Sequence, residues 1–223
     1  MAAEAMSNFF ITATGTEIGK THITADVVRH LRAAGSMARA IKPVASGYDP
    51  THPQASDAGT LLAAMGELPS DLAIARICPW RFTAPLSPHM AAAREGRRID
   101  FDQLLHFCRD NFGQESKPLF IEGVGGAMVP LDNNHTVRDW IAELSVPAIV
   151  VAGAYLGAIS HTLCTIEALR ARGVTILAVV VNGRRPSPVP VSETIATIER
   201  HCGDSRIQVA EYGATNWWSF VGR

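Results

Sequence analysis

One α/β domain spanning residues 1–223, with a mostly parallel sheet and helices on both faces, is the fold class that three features of the chain predict. Short apolar, β-branched runs alternate with helix-period segments from one end to the other. The runs are apolar at consecutive positions rather than at every second one, as strands buried on both faces must be. The length of 223 residues, 47% hydrophobic and 18% charged, suits one sizeable core better than two small ones and excludes disorder for the bulk of the chain.

Taken in order, candidate strands fall at residues 9–13, 38–42, 119–122, 148–152 and 176–181, with a weaker one at 207–210. The first helix is predicted over 20–34, where Ile23, Val27 and Leu31 recur on one face and Gly35 stops the run. Further helices are predicted at 101–111, 137–144, 159–172 and 191–201. The stretch 183–190, GRRPSPVP, follows a strand and reads as a surface loop. No repeat and no low-complexity tract interrupts this alternation.

Charge and hydropathy narrow the function classes. A formal net charge of -1 provides no field to hold a polyanion, which argues against nucleic acid as a partner. The uncharged apolar run 146–159 has fourteen residues and contains Pro147 and Gly153, too short for a membrane span. An acid near the N-terminus, Glu4, sits where a secretory signal carries basic residues, so the expected location is the cytoplasm. Cys78, Cys108, Cys164 and Cys202 show no metal-ligand spacing and are expected to be free, buried thiols.

The strongest chemical signal is ATGTEIGKT at 13–21, directly after the first strand and opening the first helix. Small residues let backbone N–H groups wrap an anion, the helix start adds positive potential, and a lysine reaches the outer phosphates. Gly19, Lys20 and Thr21 supply that order, although Thr14 stands where the usual spacing has glycine and Gly15 follows it. The chain contains seventeen arginines and only three lysines, so each lysine invites a specific role for its compact ammonium. Lys42 closes the second strand at the sheet edge where ligands bind in parallel α/β folds, whereas Lys117 falls at the opposite edge and reads as surface.

Glu122 closes another apolar strand, followed by three glycines in four residues, and reads as a Mg²⁺ ligand beside the phosphate loop. Asp57 is open between helix N-cap and metal ligand. Asn182 is equally open between a contact to a nucleotide base and a left-handed turn residue. His89 and His161 lack ligand-spaced partners and read as helix-surface or core side chains. Trp217 and Trp218 are expected to cover apolar surface, and Arg97, Arg98, Arg184 and Arg185 to lie on solvated faces.

Together GTEIGKT, IKPVASG, ASDAG, PLSPH, FIEGVGG, LGAISH and VVVNG make the chain resemble the ATP-dependent dethiobiotin synthetases, P-loop proteins of biotin synthesis. The likeness runs from about residue 9 to 182, in the family's order. It implies a P-loop NTPase-like fold and a ligase that carboxylates 7,8-diaminopelargonate with CO₂ and closes a ureido ring at the expense of ATP. It assigns Mg²⁺ to Thr21, Asp57 and Glu122. Nucleotide contacts fall to Glu17, Ile18, Gly19, Lys20, Thr21, His22, Asp57, Glu122, Gly123, Val124, Gly125 and Asn182. Lys20 and Lys42 would flank the carbamate and the transferred phosphoryl group, with Ser46 on the substrate. The family's homodimer would hold the substrate carboxylate at Tyr155, Leu156, Gly157, Ala158, Ile159 and Ser160 of the neighbouring subunit.

Three positions depart from that pattern. Ala13 replaces the glycine that opens the family's loop, Tyr155 stands where lysine is common, and no proline-bearing adenine loop is evident near 210–213. Two rivals share part of the signal. A partitioning ATPase carries an extra lysine early in the loop, where this chain has Thr14, Gly15 and Thr16. A cobalamin-precursor ligase brings a glutaminase domain for which 223 residues leave no room.

Overall fold

The computed structural model describes residues 8–112, 117–183 and 187–222. Its main sheet is built on β1 (Asn8–Ala13), whose neighbours are not its successors in the chain. Six strands run in the order β2 (Arg39–Ile41), β5 (Leu119–Glu122), β1, β6 (Ala148–Gly153), β7 (Ile176–Asn182) and β8 (Gln208–Glu211). Every pairing is parallel. Every residue of β5 and β6 is buried; because successive side chains point to opposite faces, both faces of the sheet are covered.

Phe9 and Phe10 show how this core is made. Phe9 stacks on Phe120 across the β1–β5 pair, ring centroids 5.2 Å apart, while Phe10 meets Trp140 of α6 (Val137–Leu144) edge to face at 4.8 Å. All four rings are fully buried. The helix α1 (Lys20–Ala33) buries Ile23, Val27 and Val28, and it ends as expected at Gly35. There the Gly35 N–H donates to Arg32 O and the Ser36 N–H to Leu31 O, a left-handed C-terminal motif that needs the positive φ of 90° at Gly35.

Between β2 and β5 lies an insertion whose elements are too short for periodicity to reveal. It holds β3 (Val44–Ser46) and β4 (Trp80–Phe82), which form a separate two-stranded parallel sheet. Three helices accompany them: α2 (Asp57–Ala64), α3 (Asp71–Ile77) and α4 (Pro88–Arg94). The second strand therefore ends at Ile41, with Lys42 and Pro43 forming the step to β3. The remaining helices, α5 (Phe101–Asp110), α7 (Ala158–Arg170) and α8 (Val191–Cys202), match the expected positions within two residues.

Two expectations need correction. Cys164 is exposed rather than buried, because it lies on α7 opposite the stripe of Thr162, Thr165, Ile166 and Leu169 that faces the core; the other three cysteines are buried. Asn182 ends β7 in extended backbone and is not among the described left-handed residues, so the turn alternative fails. Arg97 and Arg98 are exposed, with the Arg97 guanidinium 4.7 Å over the Phe82 ring. Arg184 and Arg185, with part of the 183–190 loop, fall outside the described residues. Trp217 is buried against Tyr212, as expected of a residue covering apolar surface.

Candidate active site

The loop after β1 lies where strand order reverses, with β5 on one side and β6 on the other, so a crevice opens above the strand ends. Its backbone is tied on both sides. The Thr14 N–H donates to Val151 O (3.0 Å), the Ala127 N–H to Ala13 O (3.1 Å), and the Asn182 side-chain amide to Ile18 O (2.8 Å). Gly19 caps α1 with φ 103°, and a Cβ there would lie 2.4 Å from the Asn182 amide nitrogen, so only glycine fits. Glu17 also takes positive φ, 57°. The loop thus wraps into the α1 N-terminus, the arrangement that presents backbone N–H groups to an anion.

Lys20, the first residue of α1, is 7% exposed, and its ammonium donates to Gly125 O at 2.8 Å. Gly125 takes φ 59° in the turn after β5, which brings that carbonyl to the phosphate loop. Burial, reinforced by the nearby Lys42 charge, lowers the Lys20 ammonium from 10.5 to about 8 against the opposing pull of Glu122 and Asp57.

Lys42 is buried and meets Glu122 Oε1 at 2.7 Å, Asp57 Oδ2 at 2.9 Å and Gly123 O at 2.9 Å. Burial works against its charge, but Glu122 and Asp57 together outweigh burial and hold the ammonium above the usual lysine range. The Thr21 hydroxyl donates to the same Glu122 Oε1 at 2.6 Å. Asp57 also feels burial, yet the nearby Lys42 charge keeps its carboxyl below the ordinary value. Ser56, not Asp57, caps α2 by accepting from the Gly59 N–H, so Asp57 is released from the capping role left open above.

Apart from Glu122, which is fully buried and is absent from the lining, these side chains border a cavity of about 880 Å³; Asn182 is absent from the lining too. Thr16, Glu17, Gly19, Lys20, Thr21, His22, Lys42, Ser46, Asp57, Val124 and Gly125 all line it. The 85–88 loop and Val129 line it too, although sequence reasoning gave them no role; the paired prolines of PLSP were the available signal. Ile18 and Gly123 support the wall from behind. Tyr155, Leu156, Gly157, Ala158, Ile159 and Ser160 are absent from this lining. They form the turn before α7 and its first residues, where Leu156 is 89% exposed and the Tyr155 hydroxyl bonds His161 Nδ1 at 2.8 Å. A second cleft, about 570 Å³ along α4 and the start of α5, has neither a lysine nor the glycine turn. No group of three or more His, Cys, Asp or Glu side chains placed to hold a metal occurs among the described residues, in line with His89 bonding Ser87 and His161 bonding Tyr155.

A family model described as an AAA domain matches residues 7–211. The chain is 60% identical to the ATP-dependent dethiobiotin synthetase BioD of Acidiphilium cryptum (strain JF-5) over 97% of each chain. It is 43% identical to that of Methylobacterium nodulans, covering 93% of this chain and 95% of the relative. Among solved structures, the ParA family ATPase from Chlorobium tepidum TLS aligns with a TM-score of 0.52 over 94% of this chain and 84% of its own. At 12% identity that likeness shows a shared P-loop fold alone, so it lends no support to the partitioning rival. By sequence over nearly its whole length, the chain belongs to the ATP-dependent dethiobiotin synthetase family.

Proposed function

We propose that the protein is a ligase that uses ATP, Mg²⁺ and CO₂ to convert 7,8-diaminopelargonate into dethiobiotin, ADP and phosphate. One observation carries the reading: two buried lysines, Thr21 and Asp57 line a cavity of about 880 Å³ beside the phosphate loop, with the buried Glu122 bonded to Thr21 and Lys42 at its wall, room for a triphosphate and a small acceptor together.

The chemistry asks for positioning and charge stabilisation rather than a covalent intermediate on the protein. One amine of the substrate takes up CO₂, the resulting carbamate oxygen attacks the γ-phosphate, and the second amine closes the ring with loss of phosphate. Backbone N–H groups from Glu17 through His22 cradle the phosphates, and Lys20 meets the charge that develops on the transferred group. Lys42 and Ser46 face the carbamate from the insertion side of the cavity. Asn182, which already holds the phosphate loop in place, reaches the adenine, while Gly123, Val124 and Gly125 pack along the nucleotide.

Thr21, Asp57 and Glu122 fit a magnesium ion, since all three provide hard oxygen donors and the buried Glu122 Oε2 has no hydrogen-bond partner in the protein. An ion held there neutralises charge on the β- and γ-phosphates. Residues 155–160 point to a homodimer with a shared site: they lie outside this chain's own cavity, yet the α7 start presents N–H groups suited to the substrate carboxylate. No described helix is long and apolar enough to cross a membrane. Free thiols and ATP use suit a cytoplasmic enzyme acting on small molecules, without nucleic acid or membrane partners.

Incubating the protein with ATP, Mg²⁺, bicarbonate and diaminopelargonate should yield equal amounts of ADP and cyclic urea. ATP hydrolysis that is indifferent to the diamino acid would return the partitioning-type reading.

A further inference from the structure

One wall of the cavity is a loop held at both ends by a single short helix. Residues 83–87 leave β4 at Phe82 and enter α4 at Pro88, presenting Pro85, Leu86 and Ser87 to the cavity on the way. Backbone bonds carry the β3–β4 pairing past its last strand residues. The Tyr48 N–H donates to Phe82 O at 3.0 Å and the Gly47 N–H to Ala84 O at 3.1 Å. Ser46, opposite Phe82 in that pairing, is thereby set against the loop. The fit is close, since a Cβ on Gly47 would stand 3.3 Å from Pro85 Cβ.

The far end of α4 fastens the start of the same loop. Glu95 Oε1 accepts from the Thr83 N–H at 2.7 Å and from the Thr83 hydroxyl at 3.0 Å. Glu95 Oε2 accepts from Arg97 Nη1 at 3.1 Å, and that Nη1 also donates to Arg81 O at 2.8 Å, with the guanidinium 4.7 Å over the Phe82 ring. A left-handed turn aims the two side chains: Gly96 takes φ 63°, its N–H donates to Ala93 O and the Arg97 N–H donates to Ala92 O. Glu95, just past the last turn of α4, is thus brought back beside β4.

We propose that Glu95, braced by Arg97, is a positioning residue for the diamino acid: it holds the 83–87 loop in register with Ser46 and so shapes the acceptor part of the cavity. The proposal rests on the reading that this cavity takes the diamino acid beside Ser46. The Glu95 and Arg97 side chains are 25% and 44% exposed, so their ion pair adds little to stability. What Glu95 supplies is a fixed, charge-assisted acceptor for the first loop N–H, which water could satisfy at any loop position. A flexible acid gains from such a fixed wall, because a small misplacement of the reacting amine is costly in rate. The bonds at Thr83, Glu95 and Arg97 described here stay within the insertion, so ATP should bind as before.

Steady-state kinetics provide the test. Glu95→Ala should raise KM for the diamino acid by about tenfold, with kcat and the KM for ATP within about twofold of the parent. Glu95→Gln keeps a side-chain carbonyl for the Thr83 N–H and should stay within about threefold. A diamino acid KM unchanged in Glu95→Ala, an ATP KM that rises in step with it, or a Glu95→Gln variant as impaired as Glu95→Ala would overturn the positioning role, while ring closure by the parent keeps the functional reading. A parent that forms no cyclic urea would overturn that reading and this proposal with it. If Glu95→Ala does not fold, Arg97→Met removes the brace and keeps the carboxylate; it should show the same split at about threefold, and unchanged KM values there would overturn the proposal.

Discussion

Lys20 should cost the protein stability at neutral pH, and replacing it with methionine should make the fold stronger while stopping the chemistry. The ammonium is 7% exposed, and burial together with Lys42 brings it from 10.5 down to about 8. Below pH 8 the folded protein must keep a proton there that the unfolded chain binds far more tightly. The difference corresponds to about 3 kcal/mol at pH 7. Methionine matches the stem in length, carries no charge and gives up the bond to Gly125 O, a loss of about 1 kcal/mol. The net gain for Lys20→Met is then about 2 kcal/mol, or roughly 4–8 °C in Tm for a chain of this size.

The pH dependence gives the reasoning its test. The folded-state value is the depressed one, so the penalty is complete below pH 8 and fades as pH rises from 8 toward 10.5, where the unfolded lysine also loses its proton. Paired thermal melts of the two proteins from pH 7 to 10 should show the Lys20→Met advantage shrinking across that window. Turnover should fall by roughly 10²-fold or more in the same variant. An advantage independent of pH, or none at pH 7, would refute the electrostatic account; turnover within about threefold of the parent, far short of that loss, would refute the phosphate-loop assignment.

Glu122→Gln and Asp57→Asn should each raise the Mg²⁺ concentration for half-maximal rate by roughly tenfold or more, equivalent to about 1.4 kcal/mol of lost metal binding; unchanged metal dependence in both would remove them from the site. Gly19→Ala places a Cβ 2.4 Å from the Asn182 amide at φ 103°, and should cost about 1–3 kcal/mol in stability along with weaker ATP binding. Melting and nucleotide titration equal to the parent would count against that close fit. Gly157→Val, at φ 95° in the α7 cap, should raise KM for the diamino acid by about tenfold with little change for ATP. Mixed heterodimers of Gly157→Val with Lys20→Met should recover activity, and failure to recover in verified heterodimers would exclude a site shared between subunits.

The central strands and the long helices were legible because their signals are local. AIVVAG is apolar at every position that two covered faces require, NFFITA is so except at the buried Thr12, and α1 shows both its face and its glycine stop. The insertion was not legible. β3 and β4 have three residues each and pair with one another, so tertiary contact rather than local preference makes them strands. α2, α3 and α4 span at most eight residues, about two turns, too few for periodicity to declare a face. In the site, the GKT loop and Glu122 were readable as residues at strand ends. The joining of Lys42 to Asp57 and Glu122 was not, because it depends on a long-range packing of α2 against α1 that no spacing encodes.

The strand order also bears on how the chain comes off the ribosome. β1 is made first but pairs only with β5 and β6, Asn8 opposite Leu119 and Phe10 opposite Ala148. Until more than half of the chain has emerged, Phe9, Phe10 and Ile11 have no strand to lie beside, and the partner on the other side, β6, follows later still. Such high contact order slows folding and leaves an apolar N-terminal segment dependent on chaperones during synthesis. Thr14, at the head of the phosphate loop, waits longer still, because its N–H is held by Val151. A nascent chain arrested before β6 therefore displays the whole GKT sequence and still lacks the folded cradle for a nucleotide.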